Sequence, residues 1–128
     1  MFGDTHAFSS FSVDDLEKAR EFYGTTLGLE TTEQMALELK IAGGGTVFIF
    51  PKQDHQPASF TVLNFPVDDI DEAVKSLKDK GVKFESYSGD IATDENDVFR
   101  GSHKGMGPDI AWFKDPAGNI LSVVRSPR

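Results

Sequence analysis

The stretch Val13-Asp14-Asp15-Leu16-Glu17 returns further along the chain as Val67-Asp68-Asp69-Ile70-Asp71, and such a self-match constrains the possible folds more than any other feature of the sequence. Around it, Phe11 corresponds to Phe65 and Ala19 to Ala73, and each copy opens on alternating residues and closes a helix on a glycine. Two related halves, residues 5–51 and 59–126, are therefore expected. At 128 residues the chain suits one domain, with too little length for a second independent core.

In the first half, Ala7, Ser9, Phe11 and Val13 alternate with His6, Phe8, Ser10 and Ser12, which predicts a strand with two distinct faces. A helix should follow, capped by Asp14 with Glu17 in the capping-box position. Leu16, Ala19, Tyr23 and Leu27 would form its apolar stripe, and Gly28 its stop. Glu30 to Ile41 reads as two short strands joined near Glu33-Gln34. Gly43-Gly44-Gly45 then turns the chain into a strand over Thr46 to Phe50 that Pro51 ends. The second half repeats the order: strand Phe60 to Val67, a helix capped by Asp68 and ended at Gly81, and strand Val82 to Tyr87. Asp109 to Lys114 and Asn119 to Arg125 form a closing hairpin around Asp115-Pro116-Ala117-Gly118. Ser88 to Pro108, with four glycines and mixed charges, reads as a long loop whose charges are mostly solvated. The glycine triplet lacks the Lys-Ser/Thr and the following helix of a phosphate-binding loop, so it reads as a turn.

Each helix has one apolar stripe and each sheet one face to cover. Two βαβββ modules should thus give an α+β fold, a curved mixed β-sheet with helices on its outer face and its inner face open. An open face needs a ligand, a partner chain or bulky side chains to fill it.

Composition removes several functions. No cysteine is present, which excludes disulfides, thiolate metal sites and a cysteine nucleophile. Thirteen basic against 21 acidic side chains give a net charge of −8, which disfavours nucleic acid and favours cationic ligands over anionic ones. No apolar run is long enough for a membrane helix, and Met1-Phe2-Gly3-Asp4 lacks the pattern of a secretory signal, so a cytoplasmic location is expected.

Several motifs occur together and in a familiar order. An Asp-Leu pair opens a helix that runs through Phe22-Tyr23 to Leu27-Gly28-Leu29, a second strand and helix follow, and Asp115-Pro116-Ala117-Gly118-Asn119 comes near the end. On these residues nearly the whole chain resembles the vicinal oxygen chelate superfamily, which includes glyoxalases, bleomycin-resistance proteins and extradiol dioxygenases. The resemblance implies the fold expected above and, for the enzymes, a divalent metal held by His, Gln and Glu side chains. It places those ligand positions at Phe8, Phe48, Val62 and Ser122, none of which is a ligand of the expected kind. A one-residue slip restores no site, because the neighbours are Ala7, Ser9, Val47, Ile49, Thr61, Leu63, Leu121 and Val123. No cofactor and no metal are therefore expected.

The candidate ligand-binding residues are those sharing the inner face: His6, Phe8, Ser10, Phe48, Phe50, Val62, Asn64 and Ser122, with Trp112 close by topology but on an undecided face. The same rings could equally be core filling. His55 and His103 fall in loops, and His6 with Glu38 or Asp109 is the best set available to an enzyme. The expected function is metal-free sequestration of an aromatic or cationic compound, as in the bleomycin-resistance proteins. The alternative is a metal-dependent glyoxalase-like lyase, isomerase or dioxygenase.

Two measurements follow from the sequence. Elemental analysis of the purified protein should find divalent metal well below one equivalent, whereas an equivalent of zinc, nickel, manganese or iron that survives dialysis would overturn the metal-free reading. Sedimentation should report a homodimer of about twice the 14.1 kDa chain mass, since the resembled family commonly covers its open sheets with a second chain. A concentration-independent monomer would contradict it.

Overall fold

The computed structural model describes residues 1–126, which fall into two compact units, residues 1–57 and residues 58 onward. The fold is α+β, with one mixed sheet in each unit.

In the first unit, β1 (Ser9–Val13), β2 (Glu30–Glu33), β3 (Leu37–Lys40) and β4 (Thr46–Pro51) form a sheet in the order β1-β4-β3-β2. β1 runs parallel to β4 and the other neighbours are antiparallel. The parallel pair requires a crossover, which α1 (Leu16–Arg20) and the turn after it supply. Val13, Leu37, Leu39, Val47 and Ile49 are buried on one side of the sheet. Ala19 and Tyr23 are buried as well, and the Tyr23 ring lies 6.1 Å from that of Phe11, so the helix covers the side to which Phe11 points. Each of the larger buried side chains, such as Leu37, Leu39 and Ile49, contributes about 1.5–3 kcal/mol.

Two details of this helix differ from expectation. The cap is Asp15, not Asp14: its carboxylate accepts from the backbone N–H groups of Glu17 and Lys18, both at 3.1 Å. With two adjacent aspartates either could cap, and moving the cap by one places Glu17 at the second helical position, out of a capping box. Nor does the helix stay regular to Leu27. Residues Glu21–Thr26 form a π-helical turn, in which the Leu27 N–H donates to the Phe22 carbonyl five residues back. The Leu29 N–H then donates to the Tyr23 carbonyl, with Gly28 at φ 76°, the left-handed closure that the glycine predicts.

The second unit follows the same plan in reduced form. β5 (Thr61–Val67), β6 (Ile110–Lys114) and β7 (Ile120–Arg125) make a sheet in the order β5-β7-β6, again with its first and last strands parallel. α2 (Ile70–Asp79) buries Ile70 and Val74 and is capped by Asp69, not Asp68, through the Glu72 N–H at 3.1 Å. The strand expected over Val82 to Tyr87 is not formed. Only a single bridge, Phe84 to Phe113, and one hydrogen bond from the Glu85 N–H to the Trp112 carbonyl hold that segment beside β6.

The segment from Ser88 to Pro108 is not the solvated loop that its composition suggests. It contains a 3₁₀ turn at Gly89–Ile91, the short helix α3 (Gly101–Lys104) and a bridge from Phe99 to Ile110, and it buries Val98 and Phe99. Arg100 ties it down. Its guanidinium donates to both carboxylate oxygens of Asp71 on α2, at 3.2 and 2.6 Å, and to Asp94 at 2.9 Å, with Asp109 at 3.6 Å. Lys78 of α2 also pairs with Asp97 at 3.0 Å. Such an interlocked network holds more firmly than isolated surface pairs. The closing hairpin is held by Asp115, whose buried carboxylate accepts from the backbone N–H groups of Ala117 and Asn119 and from the Asn119 side-chain amide at 2.9–3.0 Å.

Gly101 sits where a Cβ would lie 2.6 Å from the Pro108 carbonyl oxygen and 2.9 Å from the Phe99 ring. Gly101→Ala should therefore destabilise the protein by about 1–3 kcal/mol in urea unfolding, while Gly3→Ala, in open space, should leave the midpoint unchanged. Equal midpoints for the two variants would refute this packing.

The acidic partners make a second prediction. Burial alone would raise the carboxyl groups of Asp94, Asp97 and Asp109, but hydrogen bonds from backbone amides, Arg100, Ser86, Lys78 and Ser102 outweigh it and hold all three below the usual range. The unfolded chain then binds protons at higher pH than the folded one. The stabilisation is present above the ordinary carboxyl range, at about pH 4 and higher, and is lost as pH falls through the lower folded values. Urea midpoints should drop steeply between about pH 5 and pH 2.5, and Arg100→Gln should flatten that slope. A variant with the parent slope would contradict the network.

Candidate functional site

The face of the first sheet that α1 leaves uncovered is defined by register. Ser10 of β1 stands opposite Phe48 of β4, Phe48 opposite Glu38 of β3, and Glu38 opposite Thr32 of β2. Cross-strand partners share a face, so these four side chains form one row across the sheet. Ser12 and Phe50 form the next row. Phe8, just ahead of β1, is 64% exposed, and its ring stands edge-on to that of Phe48 with centroids 5.0 Å apart. Two aromatic rings on the side that α1 leaves uncovered are a costly arrangement for packing alone.

Beside Phe48 lies a cavity of about 390 Å³, lined by Thr32, Gln34, Met35, Ala36, Glu38 and Phe48. Met35, in the turn between β2 and β3, is 90% exposed. The Glu38 carboxylate accepts from the Thr32 hydroxyl at 3.1 Å and from the Lys40 ammonium at 3.0 Å, and the Lys40 hydrogen bond holds its carboxyl below the usual range. The period-two pattern of β3, with Leu37 and Leu39 buried and Ala36 and Glu38 alternating with them, is a signal that points to these two lining residues. The cavity's depth and its turn residues Gln34 and Met35 have no such signal.

Other first-unit candidates lie apart from this cavity. His6 is exposed ahead of β1, and Glu38, one of its suggested acid partners, is taken up by Thr32 and Lys40. Ser12 instead meets His55, its hydroxyl 2.6 Å from Nδ1, so a histidine assigned to a loop reaches the open face at the end of β1.

In the second unit, Asn64, Ser122 and Trp112 are cross-strand partners in one row, which settles the face of Trp112. The Ser122 hydroxyl is fully buried and donates to the Asn64 amide oxygen. Trp112 donates from Nε1 to Thr61 Oγ1 at 3.2 Å and packs edge-on against Tyr87 at 5.4 Å. Burial, then the nearby Glu85, pushes the Tyr87 hydroxyl above its usual range. Neither Thr61 nor Tyr87 is foreseen by sequence pattern. The reason is a bulge between Thr61 and Leu63, which makes Val62 the extra residue of β5 and breaks the alternation that linked Phe60, Val62 and Asn64. Asp109, the other suggested acid, accepts from the Ser102 hydroxyl and faces Arg100.

A divalent metal of the kind expected from the resembled enzymes does not fit these positions. Phe8, Phe48 and Val62 have no donor atom, and Ser122 has one hydroxyl already engaged with Asn64. Among the described residues, no group of three His, Asp or Glu side chains is arranged to hold a metal ion. None of their helices is long and apolar enough to cross a membrane.

Comparison with known proteins agrees with this architecture. A glyoxalase family protein from Enterococcus faecalis superposes with a TM-score of 0.69 at 21% identity, over 98% of this chain and all of that one. A lactoylglutathione lyase from Agrobacterium tumefaciens gives 0.65 at 21%, over 96% of this chain and 94% of that one. A glyoxalase/bleomycin resistance protein from a Streptomyces species gives 0.59 at 22%, over 93% and 100%. Identities this low show a shared fold alone. No curated protein matches the sequence. The family model for the Glyoxalase/Bleomycin resistance protein/Dioxygenase superfamily, however, matches residues 6–123. With all but ten residues inside that match, the chain belongs to the Glyoxalase/Bleomycin resistance protein/Dioxygenase superfamily.

Proposed function

We propose that this protein binds a small aromatic or cationic compound without a metal ion, and that the uncovered face of the first sheet is where it does so. The observation that carries this reading is the pair formed by exposed Phe8 and half-buried Phe48, rings 5.0 Å apart, beside a cavity of about 390 Å³. A cavity of roughly 300–1,000 Å³ with an aromatic wall and a few polar groups is the usual form of a small-molecule site. Phe8 and Phe48 supply the wall, and Ser10 and Thr32 in the same row as Phe48 supply hydroxyls. The resemblance implies metal-ligand positions at Phe8 and Phe48, and rings there in place of donors favour holding a ligand over polarising its oxygen. Asn64 and Trp112 would serve as a separate polar and aromatic surface of the second unit. A second copy of the chain would complete the functional protein.

A thermal-shift screen with cationic glycopeptides, intercalator-like drugs, neutral aromatics and glutathione conjugates tests this. Binding of any stabilising aromatic should weaken by about 1 kcal/mol or more in Phe48→Ala, at low and at high salt alike, because ring stacking is not screened. Stabilisation by glutathione conjugates alone would sink the sequestration reading and favour a glyoxalase-like activity.

A further inference from the structure

Resting on the aromatic-face reading above, we propose that Glu38 makes the cavity beside Phe48 selective for flat compounds bearing an amidine, guanidine or amine, and that Lys40 is its built-in competitor. The cavity wall contains one ring, one thioether, one amide, one hydroxyl and one carboxylate, and no cationic side chain. Lys40 reaches the carboxylate without itself lining the cavity.

A carboxylate offers about four acceptor positions. Glu38 uses one oxygen for Thr32 and the other for Lys40, so capacity remains for a further donor. Because Glu38 and Phe48 are cross-strand partners, the carboxylate and the ring lie side by side on one face. A planar cation can rest on the ring while its N–H groups reach the carboxylate. An amidine can match both oxygens at once, as a guanidinium does. Such a ligand competes with Lys40 for the same charge. Lys40 therefore sets how strongly the site prefers cations, and its removal leaves the carboxylate uncompensated.

Benzamidine, benzamide and benzoate are near-isosteric probes of charge +1, 0 and −1, and titrating each into the ¹⁵N-labelled full chain reads the site directly. Benzamidine should shift the amide signals of residues 32–38 and 48 and bind about tenfold more tightly than benzamide, with benzoate weakest. Glu38→Gln should reduce the preference to below about threefold, because benzamidine loses much more than benzamide does. Lys40→Ala should strengthen benzamidine binding, a gain that a merely unfolded or loosened variant would not produce.

Loss of the carboxylate without loss of the preference overturns the assignment, as does stronger binding of benzoate than of benzamide. Should benzamide shift these signals while benzamidine holds no advantage over it, Glu38 is not the selector and the aromatic-face reading stands. If none of the three probes shifts them, the aromatic-face reading itself fails and the inference fails with it.

Discussion

A helix on one side of a single sheet covers only one of each strand's two faces, and in residues 1–57 that choice decides which side chains face away from α1. Phe11 meets Tyr23 from the helix that follows β1, and Val13, Val47 and Ile49 are buried with it. By alternation, Phe8, Ser10, Phe48 and Phe50 must then point the other way. Reversing the choice would bury Ser10 and Ser12 and expose Ile49, which the loss of hydrogen-bonding water and apolar contact opposes together. The aromatic face is thus a consequence of how the core packs.

Much of this was legible from the sequence because it depends on local periodicity. The repeated Val-Asp-Asp segments locate both helices, the alternation of β1 and β4 sorts their faces, and Asp115 to Asn119 marks a turn whose hydrogen bonds the structure supplies in full. Elsewhere tertiary contacts override local signals. Two adjacent aspartates leave the cap undetermined until the backbone turns, and the π turn at Glu21–Thr26 has no compositional marker. The bulge at Val62 breaks a parity argument that is valid only for a regular strand. Residues 88–108 look like a solvated loop because glycines and charges are abundant there. Arg100, however, gathers carboxylates from positions 71, 94 and 109, a convergence that no window of the sequence contains.

The candidate site was only half visible for the same reason. Phe8 and Phe48 follow from alternation, but pairing Glu38 with Phe48 requires the β3–β4 register, and the cavity requires the turn that carries Gln34 and Met35. Membership of the superfamily accounts for the scaffold and leaves the chemistry to the side chains it carries. On the uncovered face of the first sheet those side chains are rings, hydroxyls and one ion-paired carboxylate.

The most direct test is a calorimetric titration of chelator-stripped protein with the aromatic compound that stabilises it most, repeated with zinc, nickel or manganese added. The affinity should be the same in every case, with amide shifts centred on Phe8, Phe48 and the turn between β2 and β3. Binding that vanishes on chelation and returns with one metal would contradict it.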